Sequence, residues 1–243
     1  MSGWRVNNSI AYIRSGAKYK FIDYKFQMIH PFTCVISGPT MSGKSYFVKR
    51  LINLIPTKID TKIDEIHYYY SVYQSLFDDM TNVEFIKGLP SLSSYDGKKN
   101  VLVIMDDLMS EINTEISDFF TKGAHHKNLS IIYICQNIFH QNRAQRTINL
   151  NSQYLILFKN PRDVLQIQYL GRSLLGRDIH EFEEIFLHAT SKAHGYLFID
   201  LKQSTPDQFR YLTYILNDHP KSSHTTNHID VYVLNRFINK LYS

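Results

Sequence analysis

The sequence predicts an α/β fold in which a mostly parallel central sheet is sandwiched by helices, and three observations carry that expectation. Six short runs rich in β-branched and aromatic residues recur along the chain, segments with helical spacing fill the stretches between them, and the runs are apolar on both faces. Strand and helix therefore alternate, which is the pattern of a parallel sheet covered on each side.

The runs fall at residues 32–37, 65–70, 101–106, 130–135, 154–158 and 196–201, each bounded by Gly, Pro, Asn or charge. Helical spacing marks residues 44–54, 112–122, 163–175 and 179–189. Residues 89–100, with Pro90, Gly97, three serines and two lysines, read as a surface loop. Near the end, residues 217–227 form a polar linker, and Val231, Leu234, Phe237, Ile238 and Leu241 space out one amphipathic helix over 230–241.

A chain of 243 residues with 44% hydrophobic content is sized for one full domain. The longest apolar runs, at 101–105 and 131–135, end long before the roughly 18–20 residues a membrane span requires. The first eight residues lack an apolar core behind a basic start, so no secretory leader is expected. Cys34 and Cys135 each lie in a strand-like run, as free thiols of a reducing compartment do. The net charge of +5 and the pI near 9.0 are compatible with a nucleic-acid partner, a weak signal by itself.

The sharpest local pattern is Gly38-Pro39-Thr40-Met41-Ser42-Gly43-Lys44-Ser45, which follows a strand and runs straight into helical spacing. That is the context a phosphate-binding loop requires. Gly38 and Gly43 let the backbone turn its N–H groups inward, and the helix N-terminus adds a favourable dipole. Lys44 is then placed for the β- and γ-phosphates of ATP, and the Ser45 hydroxyl for Mg²⁺.

Hydrolysis further needs an acid at the end of a nearby strand, and the 101–106 run ends in Asp106 followed by Asp107. Asp106 is the metal-side candidate. Asp107 is placed to orient or deprotonate the attacking water, or else to cap the next helix. The 130–135 run leads into Gln136, an amide that can sense the γ-phosphate, hold the water or cap local backbone.

Taken with His30-Pro31-Phe32, these motifs form a wider set. It includes Thr121-Lys122-Gly123 with His125 and His126, Gln136-Asn137, Lys159-Asn160-Pro161-Arg162-Asp163, and the stretch from Gly195 to Lys202. The chain resembles, over about residues 30–210, the genome-packaging ATPases of Polinton (Maverick) elements and adintovirus-like viruses, within the FtsK–HerA superfamily. The resemblance implies an additional-strand, RecA-like P-loop fold, with the strand ending at Gln136 lying between the P-loop strand and the Asp106 strand. It also implies a homo-oligomeric ring that pumps double-stranded DNA into a capsid, with capsid or portal-like vertex proteins as partners and no membrane. The expected setting is a virion or host nucleus, or a cytoplasmic virus factory.

On this reading the chain divides into an N-terminal extension (1–29), a P-loop ATPase domain (30–216), and the linker with its helix (217–243). Ring motors of the superfamily complete each site with an arginine from the neighbouring subunit. Arg162 is the first candidate, with Arg143 and Arg146 as alternatives. The residue at Asp107 is one carbon shorter than the glutamate many ATPases carry, and the segment after Pro220 has no counterpart.

Other features carry blander readings. His125 and His126 are adjacent, so they point apart and lack a third metal ligand; beside Lys122 and Lys127 they suit a subunit or DNA contact or, equally, a solvated helix end. Tyr68, Tyr69, Tyr70 and Tyr73 could stack on bases, but alternation along a strand sends half of them to the core. Two rival functions remain, a small-molecule kinase and a non-motor nucleotide-dependent interaction module. The kinase needs a basic lid, for which Gly171-Arg172 and Gly176-Arg177 are the available source.

Overall fold

A computed structural model describes residues 10–15, 18–23, 26–108, 114–138, 143–162, 164–176, 179–216 and 228–232. Their strands are β1 (Ile10–Ser15), β2 (Lys18–Asp23), β3 (Thr33–Ser37), β4 (Glu65–Tyr70), β5 (Glu84–Lys87), β6 (Val101–Asp106), β7 (Leu129–Cys135), β8 (Tyr154–Phe158), β9 (Tyr196–Asp200), β10 (Tyr211–Thr213) and β11 (His228–Tyr232). The helices are α1 (Lys44–Asn53), α2 (Ile55–Lys58), α3 (Thr114–His126), α4 (Arg143–Leu150), α5 (Leu165–Leu175) and α6 (Ile179–Ala189).

All eleven strands join one sheet in the order β2-β1-β11-β10-β9-β8-β3-β7-β6-β4-β5. From β8 to β5 every neighbouring pair is parallel, while β9 and β10 run antiparallel to their neighbours. The strand before Gln136, β7, lies between β3 and β6, so the additional-strand arrangement expected from the resemblance is the one observed.

Why the central strands are apolar throughout follows from the two cores they serve. On one face Val35, Val103, Ile131 and Tyr133 pack with Phe119 and Phe120 of α3, Ile148 of α4, and Phe182 and Phe186 of α6. On the other, Cys34, Ile36, Ile104, Ile132 and Ile134 pack with Phe47, Val48 and Leu51 of α1. Each such side chain contributes roughly 1.5–3 kcal/mol when fully buried. The same burial fixes α1 against the sheet and thereby sets the position of the loop before it.

The chain ends depart from expectation. The helix expected over 230–241 does not begin at Asp230: residues 228–232 form β11, parallel to β1 and antiparallel to β10, with Tyr211 opposite Tyr232 and Thr213 opposite Asp230. The heptad-like spacing of Val231 and Leu234 concealed a period-two alternation at Ile229 and Val231 that suits a strand. The linker at 217–227 and residues 233–243 lie outside the described residues. Residues 10–15 and 18–23 likewise join the main sheet as a hairpin.

Helix α4 has a largely polar sequence, and Ala144, Gln145 and Ile148 bury its one inner face. Gly171, offered by the sequence as part of a lid, lies inside α5; a Cβ there would come 2.8 Å from the Phe182 ring. Close helix packing accounts for that glycine. No helix among the described residues is long and apolar enough to cross a membrane.

Candidate nucleotide site

Register brings the site together. Ser37 is level with Cys135, and Asp106 with Ile134, so Gly38, Gln136 and Asp107 all emerge at the carboxyl edge of adjacent parallel strands. The loop from Gly38 to Gly43 then delivers α1, whose N-cap Gly43 sits at φ 108° and provides no side-chain cap. The first-turn N–H groups of a helix have no intrahelical acceptor, so an anion placed there meets unpaired donors and the positive end of the dipole.

The loop glycines have distinct reasons. A Cβ on Gly38 would lie 2.6 Å from Phe158 Cβ and 2.8 Å from Ser42 Oγ, so the position must be bare for the loop to pass β8. Gly43 requires its positive φ. Ser42 Oγ is buried and has no hydrogen-bond partner among the described residues, a polar atom set into the cradle.

Lys44, Ser45, Asp106, Asp107 and Gln136, together with Thr40, Met41 and Gln74, line one cleft of about 470 Å³. Lys44 Nζ donates to the carbonyl oxygens of Gly38 (2.6 Å) and Pro39 (2.9 Å). Burial lowers its pKa, opposed by the nearby Asp106 carboxylate. Ser45 Oγ donates to Asp106 Oδ2 at 3.4 Å. Asp107 stands at φ 53°, exposed, and its Oδ1 accepts from Gln136 Nε2 at 3.2 Å, with Oδ2 at 3.4 Å. Gln136 thus meets a neighbouring carboxylate, a partner that the sequence reading did not foresee.

Asp106 also accepts from the Tyr68 hydroxyl at 2.7 Å and from Gln74 Nε2 at 3.5 Å. Neither is an obvious site residue in the sequence. Tyr68 is core and so is its neighbour Tyr69, where strand alternation would send one of them outward, and the Tyr68 hydroxyl reaches across from β4 to the β6 acid. Tyr73, by contrast, is exposed. His126 is exposed at the end of α3, while nothing is described of the His125 side chain.

Burial raises the pKa of Asp106, with the Asp107 charge adding to it and the Tyr68 hydrogen bond acting against it. An acid with a raised folded pKa is held at a cost when ionised, and that cost disappears as pH falls through the folded pKa. Asp106→Asn, which keeps an acceptor for Tyr68, should therefore melt above the wild type near neutral pH, and the gap should close on acidification. Each kcal/mol of relief corresponds to roughly 2–4 °C in a chain of this size, and thermal melts across pH read it directly.

Among the described residues no arginine lines the cleft. Arg162 is exposed in the turn beyond β8, its backbone N–H bonded to Asn160 Oδ1 at 3.1 Å, and Arg143 and Arg146 are exposed on α4. The described structure therefore assembles the loop, both acids and the amide in one place, but none of the three candidate arginines.

No protein-family model and no curated protein matches the chain. Among solved structures, the genome-packaging NTPase B204 of Sulfolobus turreted icosahedral virus 2, in complex with ATP-gammaS, is similar over 72% of this chain and 95% of its own, at 15% identity and a TM-score of 0.49. The cytoplasmic domain of the Thermomonospora curvata type VII secretion ATPase EccC is similar over 80% of this chain and 27% of its own, at 11% identity and a TM-score of 0.47.

Proposed function

We propose that the chain is an ATP-hydrolysing motor that translocates double-stranded DNA, of the kind that packages a viral or transposon genome into a capsid. The observation that carries the ATPase reading is the convergence of Lys44, Ser45, Asp106, Asp107 and Gln136 in one cleft at the carboxyl edge of parallel strands. The motor reading rests in addition on the sequence resemblance over residues 30–210 and on the basic charge of +5.

In this proposal the backbone N–H groups of residues 38–45 and the Lys44 ammonium bind the β- and γ-phosphates of ATP. The residues also fit magnesium: a hydroxyl and a carboxylate, both hard oxygen donors, converge at Ser45 and Asp106, and a cation would offset the buried Asp106 charge. When bound, magnesium neutralises charge on the phosphate oxygens. Asp107, positioned by Gln136, accepts the proton of a water as its oxygen bonds to the γ-phosphorus and the bond to the β-bridging oxygen breaks, leaving ADP and phosphate.

A hydrolysis site of this class needs a further cation over the transferring group. That no arginine is among the described residues lining the cleft, and that Arg162 is exposed, support its delivery from a neighbouring subunit in a ring. Residues 30–216 are the proposed motor domain. The flanks 1–29 and 217–243 contribute β1, β2 and β11 to one end of its sheet. Capsid or portal-like proteins and a virion or nuclear setting follow as the proposed context.

Lys44→Ala tests the phosphate site. Losing one charge-assisted contact to phosphate is expected to weaken ATP binding roughly 10–100-fold, measured by calorimetry. Unchanged affinity would remove the proposed role of Lys44 and with it the phosphate cradle.

A further inference from the structure

Helix α5 presents a face that its own fold leaves bare. Leu170 and Leu175 turn into the core, while Leu165, Tyr169 and Arg172 recur at helical spacing along one outer face and are all exposed. Leu165 and Tyr169 are each 60% exposed, as is Val164 at the start of the helix. Lys159 and Arg162, exposed in the turn after β8, lead into the same helix. From 159 to 172 the sequence holds three cations and a single acid, Asp163. The face is therefore apolar in its middle and basic at its ends.

A second bare face follows β4. Val72 is 72% exposed and Tyr73 54%, although the segment is firmly held: Tyr73 lies edge-on to Phe77 at 5.3 Å, and Phe77 is buried against Phe85 at 4.7 Å. From 72 to 79 the sequence holds two acids and no cation. Asp79 is already bridged to Lys49 Nζ at 2.7 Å, so Asp78, exposed and accepting from the Tyr73 hydroxyl, is the acid available to a partner. This face is apolar and acidic where that of α5 is apolar and basic.

Topology keeps the two apart within one subunit. Between β8 and β4 stand β3, β7 and β6, so the segments that follow them flank the nucleotide cleft from opposite sides, about 19 Å apart at the usual strand spacing. Complementary faces on opposite flanks of one chain join copies head to tail, the contact that closes a ring. Self-pairing of α5 would instead set like charges at Arg162 and Arg172 against one another. Tyrosine and arginine beside aliphatic side chains are also the residues that carry most energy in protein interfaces.

We propose that the α5 face of one subunit docks on the 72–79 segment of a second copy, Leu165 and Tyr169 lying on Val72 and Tyr73, and the basic ends facing Asp78. The inference rests on the ring reading above and names the two faces that the ring joins. Gln74, within the acidic segment, lines the cleft, so a docked α5 carries Arg162 to the edge of the neighbouring site.

The test is the mass of the full chain in solution with saturating ATP. Tyr169→Glu and Val72→Glu change exposed residues outside the cleft lining, and each puts a carboxylate into the apolar part of the contact. Either variant alone is expected to need about ten-fold more protein than wild type to assemble. Mixed in equal amounts, they should form a dimer and nothing larger, because one pairing of faces is then intact and the other opposes two carboxylates. Misfolded variants would not give that dimer. Variants that assemble as wild type does, or a mixture that stays monomeric or forms rings, would overturn the interface and leave the ring reading standing. Dimers of Val72→Glu alone, with Tyr169→Glu monomeric, would overturn it in favour of self-paired α5 faces. A wild type that is itself monomeric would overturn the ring reading, and the interface with it.

Discussion

Asp107→Asn is expected to bind ATP with little change and to hydrolyse it about 10²–10⁴-fold more slowly, the range set by loss of a positioned general base. The substitution is informative because it alters so little else. Asparagine matches aspartate in size and tolerates a left-handed backbone, so the φ of 53° at this position is retained. Its side chain can still meet Gln136, which now lies 3.2 Å from Asp107 Oδ1. What disappears is the capacity to accept a proton at neutral pH. Single-turnover phosphate release with saturating ATP separates this from a binding defect, and a rate within a few-fold of wild type would remove Asp107 from the chemistry.

Arg162→Ala is the second large effect. An arginine supplied in trans is worth roughly 10³–10⁵ in turnover, so this variant should bind ATP and hydrolyse it poorly. Arg162 is exposed and lies outside the cleft lining, so its loss should leave the fold and the ATP affinity of a single subunit unaltered. Mixing Arg162→Ala with Lys44→Ala should restore part of the activity, because a ring then contains interfaces pairing an intact P-loop with an intact arginine. Failure of that rescue, with Arg143→Ala or Arg146→Ala succeeding in its place, would move the assignment to α4.

The two cores explain which parts of this molecule could be read in advance. Strands β3, β6, β7 and β8 are buried on both faces, so they appear in the sequence as unbroken apolar runs, and their boundaries are legible to within a residue or two. The short β5 is half exposed and carries a charge at each end, leaving no apolar run to find. Strand β11 depends on partners at both ends of the chain, β1 and β10, and nothing local distinguishes it from the start of an amphipathic helix.

The site divides along the same line. Gly38, Gly43, Lys44, Ser45 and the two aspartates follow from a motif and from strand ends, both local in sequence. Tyr68 and His194 do not. The Tyr68 hydroxyl matters only because β4 pairs with β6 in a register that sets it near Asp106, 38 positions away. His194 acquires its contact with Ser42 across 152 positions. Tyrosine in a strand and histidine in a turn are common, and only the folded arrangement brings them against Asp106 and Ser42.

On the proposed function, hydrolysis belongs to an assembled motor rather than to one subunit. Phosphate release measured with and without double-stranded DNA, while the mass in solution is followed with ATP present, decides this. The expected result is cooperative hydrolysis that DNA stimulates, carried by an oligomer. Full activity in a strict monomer, unchanged by DNA, would overturn the motor.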